Sequence, residues 1–100
     1  MLCLDAMRKV IGCVELSRGI VNSAEISIRR MVEIALARNA SGVVMAHNHT
    51  NGIALPSAED EITTLRVRDA LMVVGIELID HIVVADGDFV SMRASGLLST

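Results

Sequence analysis

Two histidines and one aspartate are the residues of this chain whose types and spacing could do chemistry. An apolar run at 42–46 directly precedes His47 and His49, and Asp60 lies eleven residues after His49. An apolar run of this length, bounded by turn signals, predicts a buried strand. Alternate side chains of a strand share one face, so the imidazoles of His47 and His49 can meet one small ion from the same side.

A helix that begins after Ser57 would bring Asp60 to the same place. The connecting loop carries the turn signals Asn51-Gly52 and Pro56, and Ser57 then places Asp60 in the first helical turn. Two imidazoles and one carboxylate leave a fourth coordination position open, as in catalytic rather than structural zinc sites. Manganese and iron accept the same ligands, so the residues alone leave the metal open.

A capping box is the alternative explanation for Ser57 and Asp60. In that motif the Ser57 hydroxyl accepts a hydrogen bond from an amide of the first turn, and Asp60 reaches back to the amide of Ser57. Ser57 can cap the helix and still face a metal site. For Asp60 the two roles compete for the same oxygens.

The same residues carry a resemblance to a known family. His47-x-His49, ten intervening residues and Asp60, with Ser57 three residues before Asp60, resemble the JAMM motif of MPN-domain metallopeptidases. The HNH and PS-x-x-D segments are most similar to the RadC-like branch, the C-terminal domain of the DNA repair protein RadC family. The likeness extends over nearly the whole chain and includes the segments at 35–40, 75–82 and 89–91.

The resemblance implies a zinc-dependent metallohydrolase of the metallopeptidase or isopeptidase type, on the cytidine-deaminase-like architecture of JAMM/MPN domains. It implies a Zn²⁺ ion and its bound water held by His47, His49 and Asp60. Ser57 would be the catalytic residue that helps to hold the oxyanion. The matched region would be a single domain at 1–100, lacking the start of the first strand and the helix-hairpin-helix region that precedes it in whole RadC-like proteins.

Two departures from the family pattern bear on activity. The general-base glutamate of the family would fall before Met1 in this register, so we expect hydrolysis by this chain alone to be impaired. Glu15, Glu25 and Glu59 do not match the family position of that base. Thr50-Asn51 stands where RadC-like chains have Pro-Ser, and the loss of that proline frees the loop after His49.

The remaining segments predict the elements around these residues. Apolar stretches at 1–7 and 10–16 predict a hairpin, and Ser27 predicts the start of a helix. The apolar positions of that helix are Ile28, Met31, Val32, Ala35 and Leu36. A second helix is predicted over 58–73 with Gly75 in the left-handed position after its end, followed by strands at 76–84 and 89–92 around an Asp86-Gly87 turn. This order predicts an α/β fold with a mixed β-sheet flanked by helices.

Asp80 and His81 interrupt the apolar pattern of the strand at 76–84. One of them could orient a metal ligand from behind, as partners of ligating side chains do. Alternatively, the two residues form a hydrogen-bonded pair that supports the sheet or a subunit contact.

Composition narrows the class of protein. The chain has 100 residues with 52% hydrophobic content, one aromatic residue and a formal net charge of −3, so we expect one aliphatic domain with no basic footprint for DNA. The sequence contains no apolar run of membrane-spanning length, and we expect no signal peptide. Cys3 and Cys13 are therefore expected to be reduced and buried, in a cytoplasmic protein.

Three functions fit these observations. The first is a hydrolase that acts on a peptide or isopeptide-type substrate. The second is a module associated with DNA repair, although direct DNA binding by this acidic fragment is not expected. The third is a non-catalytic MPN scaffold that binds proteins and forms a homodimer.

Overall fold

The computed structural model of the chain describes residues 1–16, 26–49 and 52–98. Within those ranges the chain forms β1 (Leu2–Leu4), β2 (Val10–Cys13), α1 (Ile28–Ala37), β3 (Gly42–Asn48), α2 (Ala58–Val73), β4 (Glu77–Ala85) and β5 (Asp88–Ser91). Two predictions, on Glu25 and on Thr50-Asn51, lie outside the described residues.

The strands form one sheet in the order β2-β1-β3-β4-β5. β3 and β4 are parallel, whereas the other neighbouring pairs are antiparallel. The prediction of a mixed α/β sheet is therefore confirmed. Because α2 connects the two parallel strands, the carboxyl end of β3 leads directly into the loop and first turn of that helix.

Both predicted hairpins are present. β1 and β2 pair in antiparallel register, with Leu2 opposite Cys13. β4 and β5 are joined at Asp86 and Gly87, whose φ angles are 46° and 78°. Positive φ at both central residues is what a type I′ turn requires, and this turn matches the right-handed twist of the strands.

The helix boundaries follow local chemistry. Ser27 accepts a hydrogen bond from the amide of Arg30 at 3.2 Å and caps α1. α2 has the bounds that the sequence predicts, and Gly75 adopts a φ of 76° beyond its end. Leu36 is one of the apolar positions of α1, but its side chain is 51% exposed. Leu36 lies 100° around the helix from Ala35, outside the buried stripe that Met31 and Ala35 form one turn apart.

The core lies between the two helices and one face of the sheet. Its buried side chains from α1, β3, α2 and β4 are aliphatic: Met31, Ala35, Val43, Met45, Val67, Leu71, Leu78. Alternate residues of β3 thus face the helices, and His47 continues that series toward the end of the strand. The core is aliphatic, as the composition predicts.

The two cysteines differ in their exposure. Cys3 is buried and Cys13 is exposed, both as free thiols, so the predicted burial is wrong for Cys13. Among the described strands β2 lies at the edge of the sheet and pairs with β1 alone. Within the described ranges, neither helix combines the length and the apolar character needed to cross a membrane.

Candidate metal centre

The three predicted ligands come together at the carboxyl end of β3. The ring centroids of His47 and His49 are 4.8 Å apart with their planes nearly perpendicular, and one ligand atom from each of His47, His49 and Asp60 lies within 4.8 Å of the others. The amide of His49 donates to the carbonyl of Val84 at 2.8 Å, which extends the pairing of β3 with β4 and fixes the backbone at this histidine. The three side chains are 11%, 12% and 2% exposed, respectively.

Asp60 caps α2 and also lies within the group of residues that could hold a metal ion. Its Oδ2 accepts the amide hydrogen bond of Ser57 at 2.8 Å, and its own amide donates to Ser57 Oγ at 3.1 Å. The capping box is therefore present. Oδ2 also lies 2.9 Å from His49 Nε2, while Oδ1 lies 3.4 Å from His47 Nδ1. The cap thus fixes the carboxylate in place and leaves Oδ1 directed toward His47.

Both ring nitrogens of His49 lie next to oxygen atoms that can only accept hydrogen bonds. Its Nδ1 lies 3.1 Å from the carbonyl oxygen of Ile53, and its Nε2 lies 2.9 Å from Asp60 Oδ2. A neutral imidazole has one N–H, so it can donate to only one of these two oxygens. A metal ion bound at Nε2 would leave the Nδ1–H to be donated to Ile53.

His47 has unsatisfied nitrogens. Both Nδ1 and Nε2 are buried without a hydrogen-bond partner among the described residues. Burial lowers the pKa of His47, an effect that the nearby Asp60 carboxylate opposes and His49 reinforces. A neutral imidazole with an unused lone pair is the form that binds a metal ion. The residues present therefore fit a metal ion held by His47, His49 and Asp60.

A fourth side chain, His81, lies next to the cluster. It is fully buried, and its ring centroid is 6.1 Å from that of His47. Its Nδ1 lies 2.6 Å from Thr64 Oγ1, and this hydroxyl donates to the carbonyl of Asp60, also at 2.6 Å. Burial, with a smaller contribution from His47, lowers the pKa of His81 to about 4. His81 is therefore neutral near pH 7.

Asp80 and His81 lie in different surroundings. Asp80 accepts hydrogen bonds from the Ser91 hydroxyl at 2.5 Å and from the Arg93 amide at 3.1 Å, so it supports the end of the β4–β5 hairpin. His81 points to the helix side instead. A bulge between Val43 and Val44 shifts the register of β4 by one residue. That shift places His81 beside Met45 on the core face.

Sequence analysis missed two partners of this site, Thr64 and the carbonyl of Ile53. Thr64 follows Asp60 by four residues on α2, a spacing that places both on one helix face and that could have drawn attention to it.

Ser57 is exposed at the rim of the cluster, and Glu59 is exposed on the outer side of α2. Glu15 is likewise exposed, beyond the end of β2.

Comparison with known proteins gives a consistent result. The model of the RadC-like JAB domain family matches residues 1–97. A UPF0758 protein of Halorhodospira halophila is 50% identical over 97% of this chain and 43% of its own length. The UPF0758 protein Tgr7_0100 of Thioalkalivibrio sulfidiphilus is 46% identical, and a UPF0758 protein of Nitrosococcus oceani is 43% identical, over the same shares of each chain.

This chain spans less than half the length of these curated relatives. The match nevertheless covers both helices and all five strands described above. It also includes His47, His49 and Asp60, the group that could bind a metal ion. By the extent of the family match, this chain belongs to the RadC-like JAB-domain family.

Proposed function

We propose that this domain is a zinc-dependent hydrolase of amide or isopeptide bonds, with the zinc held by His47, His49 and Asp60. The observation that carries the proposal is the 2.9 Å approach of His49 Nε2 to Asp60 Oδ2. When His49 donates its Nδ1–H to Ile53, both of these atoms offer lone pairs, and a metal ion bound by both satisfies them. Membership of the RadC-like JAB-domain family supports the same proposal.

The donor set matches a catalytic zinc site. Three protein ligands of nitrogen and oxygen type leave one coordination position for water or substrate. When bound there, zinc supplies a Lewis acid that lowers the pKa of a coordinated water and polarises a substrate carbonyl. Because Mn²⁺ and Fe²⁺ accept similar donors, the metal must be identified by element.

Ser57 is proposed as the residue that stabilises the developing oxyanion. Its Oγ accepts the amide hydrogen bond of Asp60, which leaves the hydroxyl proton free to be donated toward the substrate. A donor aimed at the carbonyl oxygen strengthens its hydrogen bond as negative charge develops there. The positive end of the α2 dipole lies at the same place and acts in the same direction.

The proton acceptor for the attacking water is not in the described cluster. Asp60 is the carboxylate of that cluster, and it is the helix cap as well as one of the three proposed ligands. Since Glu59 is exposed on the outer side of α2, it is not directed at the metal site. We therefore propose that this chain hydrolyses its substrate slowly unless a carboxylate is supplied.

The experiment is metal content per chain, measured by element after purification without chelator. We expect about one zinc in the parent protein and less than a tenth of that in Asp60→Asn. Asp69→Asn is the matched control, because Asp69 is an exposed aspartate of the same helix, paired with Arg68. Helical content by circular dichroism establishes that the variants fold. A parent protein that holds no metal after zinc addition at neutral pH would overturn the proposal.

A second candidate, a scaffold that pairs with a second copy, is supported by exposed apolar side chains. Leu55, Val73 and Phe89 are 65%, 85% and 65% exposed, and Phe89 lies on the edge strand β5. We propose a homodimer on this basis, tested by sedimentation at several protein concentrations.

We also propose that the fragment does not bind duplex DNA directly, since its net charge is −3. A steeply salt-dependent association with duplex DNA would contradict this.

A further inference from the structure

Three buried nitrogen atoms of the described residues have no hydrogen-bond partner, and they belong to two neighbouring rings. They are Nδ1 and Nε2 of His47 and Nε2 of His81. An unpaired polar atom in a protein interior costs free energy comparable to a lost hydrogen bond. All three lie in one place, so this place needs further hydrogen-bond partners or a ligand.

The proton of Thr64 determines the tautomer of His81. The Thr64 hydroxyl has one proton and lies 2.6 Å from two groups, the Asp60 carbonyl and His81 Nδ1. The carbonyl can only accept, so the hydroxyl donates to it and its oxygen accepts a hydrogen bond from His81 Nδ1–H. Nε2 of the neutral His81 ring is then a bare acceptor that requires a donor.

His47 has the complementary requirement once it binds a metal. A neutral imidazole that gives one lone pair to a metal ion carries a proton on its other nitrogen, and that N–H needs an acceptor. The His47 and His81 rings are 6.1 Å apart between centroids and tilted by 31°. At this spacing one water molecule can join the two nitrogens, or a ring shift can bring them into a direct hydrogen bond.

We propose that His81 is a positioning residue for the metal centre, whose Nε2 accepts the ring N–H of metal-bound His47 directly or through one water. This inference rests on the proposed metal binding. Metal on one nitrogen of His47 and a hydrogen bond from the other to His81 satisfy all three unpaired atoms at once. A series of hydrogen bonds then runs from the Asp60 carbonyl through Thr64 and His81 to His47. It links two of the three proposed ligands through groups that do not contact the metal.

The first test reads the tautomer of His81 by long-range ¹H–¹⁵N correlation NMR of the zinc-free protein at neutral pH. The expected result is a proton on Nδ1 and none on Nε2. Titration with zinc alone should then produce a new, slowly exchanging imidazole N–H signal from His47. A proton on Nε2 of His81, or zinc binding without a protected N–H on His47, would overturn the proposal.

Two variants of His81 separate positioning from packing. His81→Gln keeps an acceptor oxygen near the position of Nε2 but loses the bond to Thr64, whereas His81→Asn keeps a donor for Thr64 but loses the acceptor. We expect zinc affinity, measured by competition with a chelating dye, to fall by about tenfold or more in His81→Asn and to be largely retained in His81→Gln. Parent-like affinity in His81→Asn would refute the proposal, and so would an equal loss in both variants.

These outcomes differ from a failure of the proposed function. If the parent protein takes up no zinc, the metal centre itself is refuted. If the parent binds zinc and His81→Asn binds it equally well, the metal centre stands and the role of His81 is refuted. The NMR measurement uses the parent protein, so it decides the tautomer even if a variant does not fold.

Discussion

The stability of the zinc-free protein should fall between pH 6.5 and pH 4 because of His81. Burial lowers the pKa of this side chain from its ordinary 6.5 to about 4 in the native protein, with repulsion from His47 acting in the same direction. The carboxylates of Asp60 and Asp80 oppose the shift but do not reverse it. Between pH 6.5 and pH 4, His81 is therefore mostly protonated in the unfolded chain and mostly neutral in the native protein.

The sign and size follow from this difference. The contribution of neutral His81 is fully present above pH 6.5 and is lost as the pH falls toward 4, because acid favours the unfolded state. Each tenfold difference in proton affinity is worth about 1.4 kcal/mol, so the loss amounts to about 3 kcal/mol by pH 4. That is a large part of the 5–15 kcal/mol that stabilises typical domains.

The assay is urea unfolding at a series of pH values after removal of metal with a chelator. The chain has no tryptophan or tyrosine, so far-ultraviolet circular dichroism is the appropriate signal. His81→Gln cannot titrate in this range and is the matched control. Burial also lowers the pKa of His47, and that contribution is common to both proteins. Identical pH dependence in the parent and in His81→Gln would refute the assignment of this loss to His81.

Three further predictions address the metal and the chemistry. Free zinc at one hundred times its Kd should raise the free energy of unfolding by about 2.7 kcal/mol, and an unchanged urea midpoint would contradict this. Ser57→Ala should lower the free energy of unfolding by about 1 kcal/mol through loss of the helix cap, with zinc content unchanged and hydrolysis reduced. Hydrolysis by this variant at the parent rate, measured at equal zinc content, would refute the role of Ser57 in stabilising the oxyanion. Formate or acetate should accelerate peptide hydrolysis by the zinc-loaded chain in proportion to its concentration, and no response would show that a missing proton acceptor does not limit the rate.

Sequence alone predicts those features of the fold that depend on local chemistry. The bounds of α2 follow from Ser57 at one end and Gly75 at the other, because a hydroxyl cap and a left-handed residue act within one helical turn. The His47–His49 pair follows from strand alternation. Asp60 follows from its place in the first turn, where it serves as cap and cluster member together.

The environment of His81 could not be predicted in this way. Regular alternation along β4 would place His81 on the face opposite Leu78, three residues earlier in the strand. Both side chains are buried on the same face, because the bulge opposite Val43 and Val44 shifts the register by one residue. A bulge arises from the pairing of two strands, so no local pattern in β4 reports it. Thr64 contacts His81 across seventeen residues of sequence for the same reason.

The position of Asp60 couples the metal centre to the stability of α2. The same Oδ2 atom accepts the Ser57 amide and faces His49 Nε2, so the first turn of α2 must be formed for the cluster to exist. Fraying of that turn removes the helix cap and a metal ligand in one event. Conversely, a cation between His49 and Asp60 holds the carboxylate against the amide that it caps. We therefore expect helix formation and metal binding to favour each other, although the proposed ligands come from two separate elements.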